Sequence, residues 1–72
     1  MDRDTLKRAL ENADLTGYEA EAYLTLVDHG RLPAVDVAKK SSVPTSQVYE
    51  TLRSLEGKGF VETIDQDRLH AE

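Results

Sequence analysis

Between residues 39 and 58 the chain places Thr45, Ser46, Gln47, Glu50 and Arg53 around one side of a helical run whose other side is apolar. Lys39, Lys40 and Lys58 bracket that run. These residue types suit the edges of base pairs: Gln bonds adenine and Arg bonds guanine bidentately, Glu accepts from cytosine, and the Thr methyl packs on thymine. Lysines beside such a face hold phosphates without reading sequence. Tyr49, between the apolar side and the polar one, packs at the helix edge and puts a hydroxyl within reach of a phosphate. The same residues also make an ordinary solvated face, with Glu50 and Arg53 paired at i, i+3 and the lysines complementing a helix C-terminus. Residue type alone leaves both readings open.

The elements that must position these side chains follow from periodicity and punctuation. "DRDTLKRALENADL" sets Leu6, Ala9, Leu10 and Ala13 at helical spacing on a charged rod, with Asp4 as its N-cap. That stripe is expected to complete the core; left partly exposed, it would serve as a dimer seam. Thr16 and Glu19 form a capping box that opens a second helix, with Leu15 as its staple. Ala20, Tyr23, Leu24 and Val27 are its expected buried face, and Gly30 its terminator. Arg31 and Leu32 suit a brief strand, and Pro33 the start of a short helix with Val37 and Ala38 inward. After the turn "SSV", Pro44 stands at the head of a helix running to about Glu56, with Val48, Leu52 and Leu55 inward. Gly57 and Gly59 break it; "FVETI" and "RLHAE" read as antiparallel strands around the turn "DQD". The fold class expected is mainly α with a small β-wing, a winged helix-turn-helix preceded by an extra N-terminal helix. Its parts are an N-terminal helix over 1–14, a helix over 15–30, the helix-turn-helix over 33–56 and the wing over 60–72.

Composition narrows what such a chain can do. Seventy-two residues make one small domain, which buries only about 60% of its unfolded surface. Cysteine is absent, so disulfides, thiolate metal sites and cysteine nucleophiles are excluded. His29 and His70 lack a ligand array at metal spacing. Asp65 and Asp67 suit a β-turn better than a six-oxygen cation site. Neither a catalytic constellation nor a cofactor is expected. The N-terminus is too charged for a signal peptide and no apolar run approaches membrane-spanning length, so the expectation is cytoplasmic, away from membranes.

The net charge of −5 argues against a nucleic-acid partner, but the charges are unevenly distributed. Residues 31–60 hold Arg31, Lys39, Lys40, Arg53 and Lys58 against Asp36, Glu50 and Glu56, a net +2. The rest of the chain is strongly acidic.

"LTGYEAEAYLTL" at 15–26 and "DVAKKSSVPTSQVYETLRSLEGKGFVE" at 36–62 together resemble the N-terminal winged-helix domain of TrmB-like archaeal transcriptional regulators. The resemblance spans roughly residues 15 to 64. It implies sequence-specific binding of double-stranded DNA as a homodimer, with a sugar-sensing effector domain that these 72 residues do not contain. It assigns base reading to Thr45, Ser46, Gln47, Glu50 and Arg53, and backbone contacts to Lys39, Lys40, Tyr49, Lys58 and Arg68. This sequence departs from the family at three places: Thr45 and Gln47 stand where Arg or Lys is frequent, Ser42 where Gly is frequent, and the wing tip is acidic. The alternative function is a winged-helix module whose exposed face meets a protein.

Overall fold

The computed structural model describes residues 2–64 and 68–71. Its elements are α1 (Arg3–Asn12), α2 (Gly17–His29), β1 (Leu32–Pro33), α3 (Ala34–Lys40), α4 (Thr45–Gly57), β2 (Val61–Thr63) and β3 (Arg68–Ala71). The turn expected over Asp65, Gln66 and Asp67 lies outside the described residues.

Asp2 caps α1 in place of the expected Asp4: its side chain accepts from the Thr5 N–H at 2.8 Å. Asp4 falls instead in the first turn, where a carboxylate suits the helix dipole. The helix ends with the Asp14 N–H on the Glu11 carbonyl and the Leu15 N–H on the Leu10 carbonyl, a Schellman pair. Asp14 occupies the left-handed position there, at φ 77°. The expectation that the α1 stripe completes the core is corrected. No α1 residue is fully buried, and of the stripe only Leu10 packs against the core.

The capping box forms at α2: the Glu19 N–H donates to Thr16 Oγ1 and the Thr16 N–H to Glu19 Oε1. The buried set on α2 is Glu19, Ala20, Ala22, Leu24, Thr25 and Leu26. Val27 is 54% exposed and Tyr23 half-buried, against the expected face. The reason is position along the axis. α2 is the central helix, touched by α1, α3, α4 and β3, so burial wraps around its middle and stops before its C-terminal end.

The sheet has the order β1-β3-β2, antiparallel throughout: the brief strand expected at Arg31 and Leu32 forms at Leu32–Pro33 and joins the wing hairpin. Leu32 pairs with Leu69, which ties the α2–α3 connection to the wing. Leu15, Leu26, Val37, Val43, Val48, Leu55 and Val61 fill the core between helices and sheet. Each large side chain buried there contributes about 1.5–3 kcal/mol by leaving water. Tyr23 and Phe60 meet edge-on at 5.5 Å, closing the α2 side. Gly57 stays helical, and Gly59, at φ 85°, is the residue that terminates α4. No helix among the described residues is long and apolar enough to cross a membrane.

Candidate nucleic-acid interface

The turn between α3 and α4 is built by one serine. Ser41 Oγ donates to the Val37 carbonyl at 2.6 Å and accepts from the Val43 N–H at 3.2 Å. Val43, 2% exposed, plugs the space beneath. Ser42 requires no glycine-like conformation, because Asp14 is the one non-glycine residue with positive φ among the described residues. Pro44, extended at φ −63° and ψ 147°, then launches α4 without a side-chain cap. The Gln47 N–H donates to the Pro44 carbonyl at 2.9 Å, and the N–H groups of Thr45 and Ser46 are left for water or a ligand.

Val48, Thr51, Leu52 and Leu55 anchor α4 inward. Ser46, Glu50 and Arg53, at i, i+4 and i+7, form the ridge opposite them, and Thr45, Gln47 and Tyr49 flank it; all six are exposed. Two shallow depressions run along the sides of the ridge. On the α2 side, one of about 310 Å³ is lined by Thr16, Tyr18, Glu19, Gln47, Glu50, Thr51 and Ser54. On the sheet side, one of about 180 Å³ is lined by Ala34, Tyr49, Leu52, Arg53, Glu56, Thr63 and Leu69. Gln47 and Glu50 thus share one flank, Tyr49 and Arg53 the other. Glu50 and Arg53 make no ion pair with each other, so the guanidinium stays available.

Lys39 and Lys40 stand exposed in the last turn of α3, beside the turn into α4. Arg68 is exposed at the start of β3, opposite Pro33. Lys58 is placed differently. Its ammonium donates to Glu19 Oε1 at 2.8 Å and to the Asp14 carbonyl at 2.7 Å, and its side chain is 33% exposed. Glu19, at 4% side-chain exposure, is the most deeply buried charged group of the described residues. Burial pushes its carboxyl up, but hydrogen bonds from Lys58, Ser54 and the Thr16 N–H, with the Lys58 charge, outweigh that and hold it below its ordinary value. Sequence reading identified Glu19 as a cap but not this partner, 39 residues away. No local spacing signals such a pair.

Glu56 fastens the wing: its Oε2 accepts from the Thr63 N–H at 3.3 Å and from the Thr63 hydroxyl at 2.9 Å. His29 ends α2 and His70 lies in β3. No cluster of three or more potential metal ligands occurs among the described residues.

Residues 10–70 match the family model described as the sugar-specific transcriptional regulator TrmB. The chain is 41% identical over 72 residues to the HTH-type sugar sensing transcriptional regulator TrmBL1 of Pyrococcus furiosus, covering 99% of this chain and 21% of that protein. It is 48% identical over 50 residues to the DNA-binding HTH-type transcriptional repressor TrmBL2 of Thermococcus kodakarensis, which covers 69% of this chain and 19% of the repressor. An uncharacterised Bacillus subtilis protein, YrhO, is 42% identical over 59 residues, 82% of this chain and 22% of its own length. Among solved structures, TrmBL2, described as an archaeal chromatin protein with a novel mode of DNA binding, superposes with a TM-score of 0.93 at 36% identity. That superposition covers all of this chain and 29% of the other. The chain spans about a fifth of the length of the curated relatives it matches.

Proposed function

The chain belongs to the TrmB family of transcriptional regulators, and from that premise we propose that it binds double-stranded DNA and reads the major groove with the first turns of α4. The observation that carries this reading is the exposed ridge of Ser46, Glu50 and Arg53, flanked by Thr45, Gln47 and Tyr49 and backed by a rigid core. A major groove admits one helix, and a helix-turn-helix presents this face to it. Lys39 and Lys40, exposed beside the ridge, hold the phosphates, and Arg68 adds charge from the wing. The relatives' own names, a DNA-binding repressor and a sugar-sensing regulator among them, support the same reading.

In this proposal the domain acts in the cytoplasm, performs no catalysis and works as a homodimer on a two-fold site. The accessible α1 stripe, with Leu6 at 38% exposure, supports a self-association seam. Arg53→Ala is expected to weaken the preferred sequence by about 1–3 kcal/mol and random duplex little, whereas Lys40→Ala weakens all sequences alike. Fluorescence anisotropy with one selected and one random duplex separates the two. Equal, sequence-independent losses from both variants would remove base reading from Arg53. The acidic overall charge favours a second reading, a protein partner on the same face. That reading prevails if no duplex binds even at low salt.

A further inference from the structure

The lysine that the sequence offers as a phosphate clamp is held by the protein itself. Lys58 follows the last residue of α4, at the opposite end from the reading turn. Two of its three donors are occupied, by Glu19 Oε1 at 2.8 Å and by the Asp14 carbonyl at 2.7 Å. Both acceptors are themselves fixed. Glu19 Oε1 also receives the Thr16 N–H at 2.8 Å within the capping box, and Asp14 sits at φ 77° in the corner between α1 and α2. One ammonium therefore joins the C-terminal end of α4 to the junction of two other helices. A phosphate that recruited this lysine would have to draw it away from a carboxylate with 4% exposure, leaving that charge buried and unpaired. Lys39 and Lys40, exposed and without ion pairs among the described residues, face no such opposition.

We propose that Lys58, anchored by Glu19 and the Asp14 carbonyl, is a positioning residue that fixes the tilt of α4 and thereby which base edges its first turn can meet. The geometry is that of a lever. α4 has 13 residues, roughly 20 Å of helix, so a tilt of about 5° at its C-terminal end moves the first turn by about 2 Å. Base contacts tolerate displacements of only about 0.5 Å. A tie at the far end therefore governs selectivity without touching DNA. The salt dependence of binding, which counts phosphate contacts, does not register it.

The proposal rests on the DNA-reading function above, and its test separates the two. Backbone residual dipolar couplings, recorded on the full chain without DNA, give the orientation of α4 relative to α2 in wild type, Lys58→Met and Glu19→Gln/Lys58→Met. Both variants are expected to show α4 tilted by about 5° or more. The double variant, which leaves no buried charge unpaired, guards against a merely unstable single variant. Binding is then measured across salt on a duplex selected by the wild type from a randomised pool, and on random duplex. Both variants are expected to lose about tenfold on the selected duplex, the scale of one base contact, and less than about twofold on random duplex. Their slopes of log K against log salt stay at the wild-type value. An unmoved α4 in both variants overturns the proposal, as does full selectivity in the double variant. Equal losses on both duplexes with a slope lowered by about 0.9 return Lys58 to the phosphates. A wild-type chain that enriches no sequence defeats the DNA-reading function, while the couplings, needing no DNA, still decide whether Lys58 positions α4.

Discussion

Lys58→Met and Glu19→Gln break the same ion pair from opposite ends, and the structure makes the two losses unequal. Removing the lysine strands a carboxylate with 4% side-chain exposure, without its countercharge. Losing one partner of a buried pair costs about 3–5 kcal/mol. Removing the charge at Glu19 keeps an oxygen for the Thr16 N–H and leaves an ammonium that, one-third exposed, turns to solvent. That loss is about 1 kcal/mol. The difference of about 2–4 kcal/mol corresponds to at least roughly 8–16 °C in Tm for a domain of this size. The double variant is expected to lie above Lys58→Met, because no unpaired charge remains. Urea unfolding followed by far-UV circular dichroism at pH 7 measures all three.

Acid gives an independent check on the same pair. With the Glu19 carboxyl held below its ordinary 4.5 in the fold, its contribution is full above that value and is lost as pH falls through the lowered one. In Lys58→Met the Lys58 hydrogen bond and charge are gone and only Ser54 and the Thr16 N–H still oppose burial, so the carboxyl moves up from its wild-type position and protonation relieves the variant. The gap between wild type and Lys58→Met therefore narrows below about pH 4.5. A Glu19→Gln cost equal to that of Lys58→Met, or a gap indifferent to pH, would show that the buried carboxylate does not depend on this lysine.

Other consequences are simpler. Gly30 adopts φ 78° and ψ −131° with open space where a Cβ would stand, so Gly30→Ala is expected to cost about 1–3 kcal/mol from backbone strain alone. Gly57 is helical, with equally open space, and Gly57→Ala is expected to stabilise by about 0.5–1 kcal/mol. Chemical denaturation of the two variants tests that opposite sign. Leu55→Ala empties a fully buried position under α4 and is expected to cost about 2–5 kcal/mol, read as a lowered urea midpoint.

What the sequence showed and what it hid divide along a physical line. Local signals were legible: the Thr16–Glu19 capping box, Pro44 at the head of α4, and the inward triad Val48, Leu52 and Leu55. Each depends on neighbours within four residues. Misreadings arose where burial depends on distant partners. Val27 has the right angle on α2 but lies beyond its packed middle, and Ala22 and Leu26 are buried because α2 is surrounded. Two capping aspartates stood two residues apart, and pattern alone did not choose between them. β1 was legible as a strand but not its pairing with β3, across 37 residues of chain. At the interface, periodicity placed Ser46, Glu50 and Arg53 on the exposed side with Thr45 and Gln47 beside them, whereas Tyr49, read as packing at the helix edge, is 58% exposed. Periodicity could not reveal that Lys58 turns back toward Glu19, since that contact is made by the tertiary fold.

The proposed function stands or falls on whether α4 reads base sequence. Selection from random double-stranded DNA, with affinity of the enriched duplex followed across salt, decides it. The expected result is an enriched, roughly palindromic site whose log K falls linearly with log salt, with a selected-to-random preference that Arg53→Ala diminishes. Absence of enrichment, with all duplexes bound alike or not at all at low salt, would contradict base reading by α4.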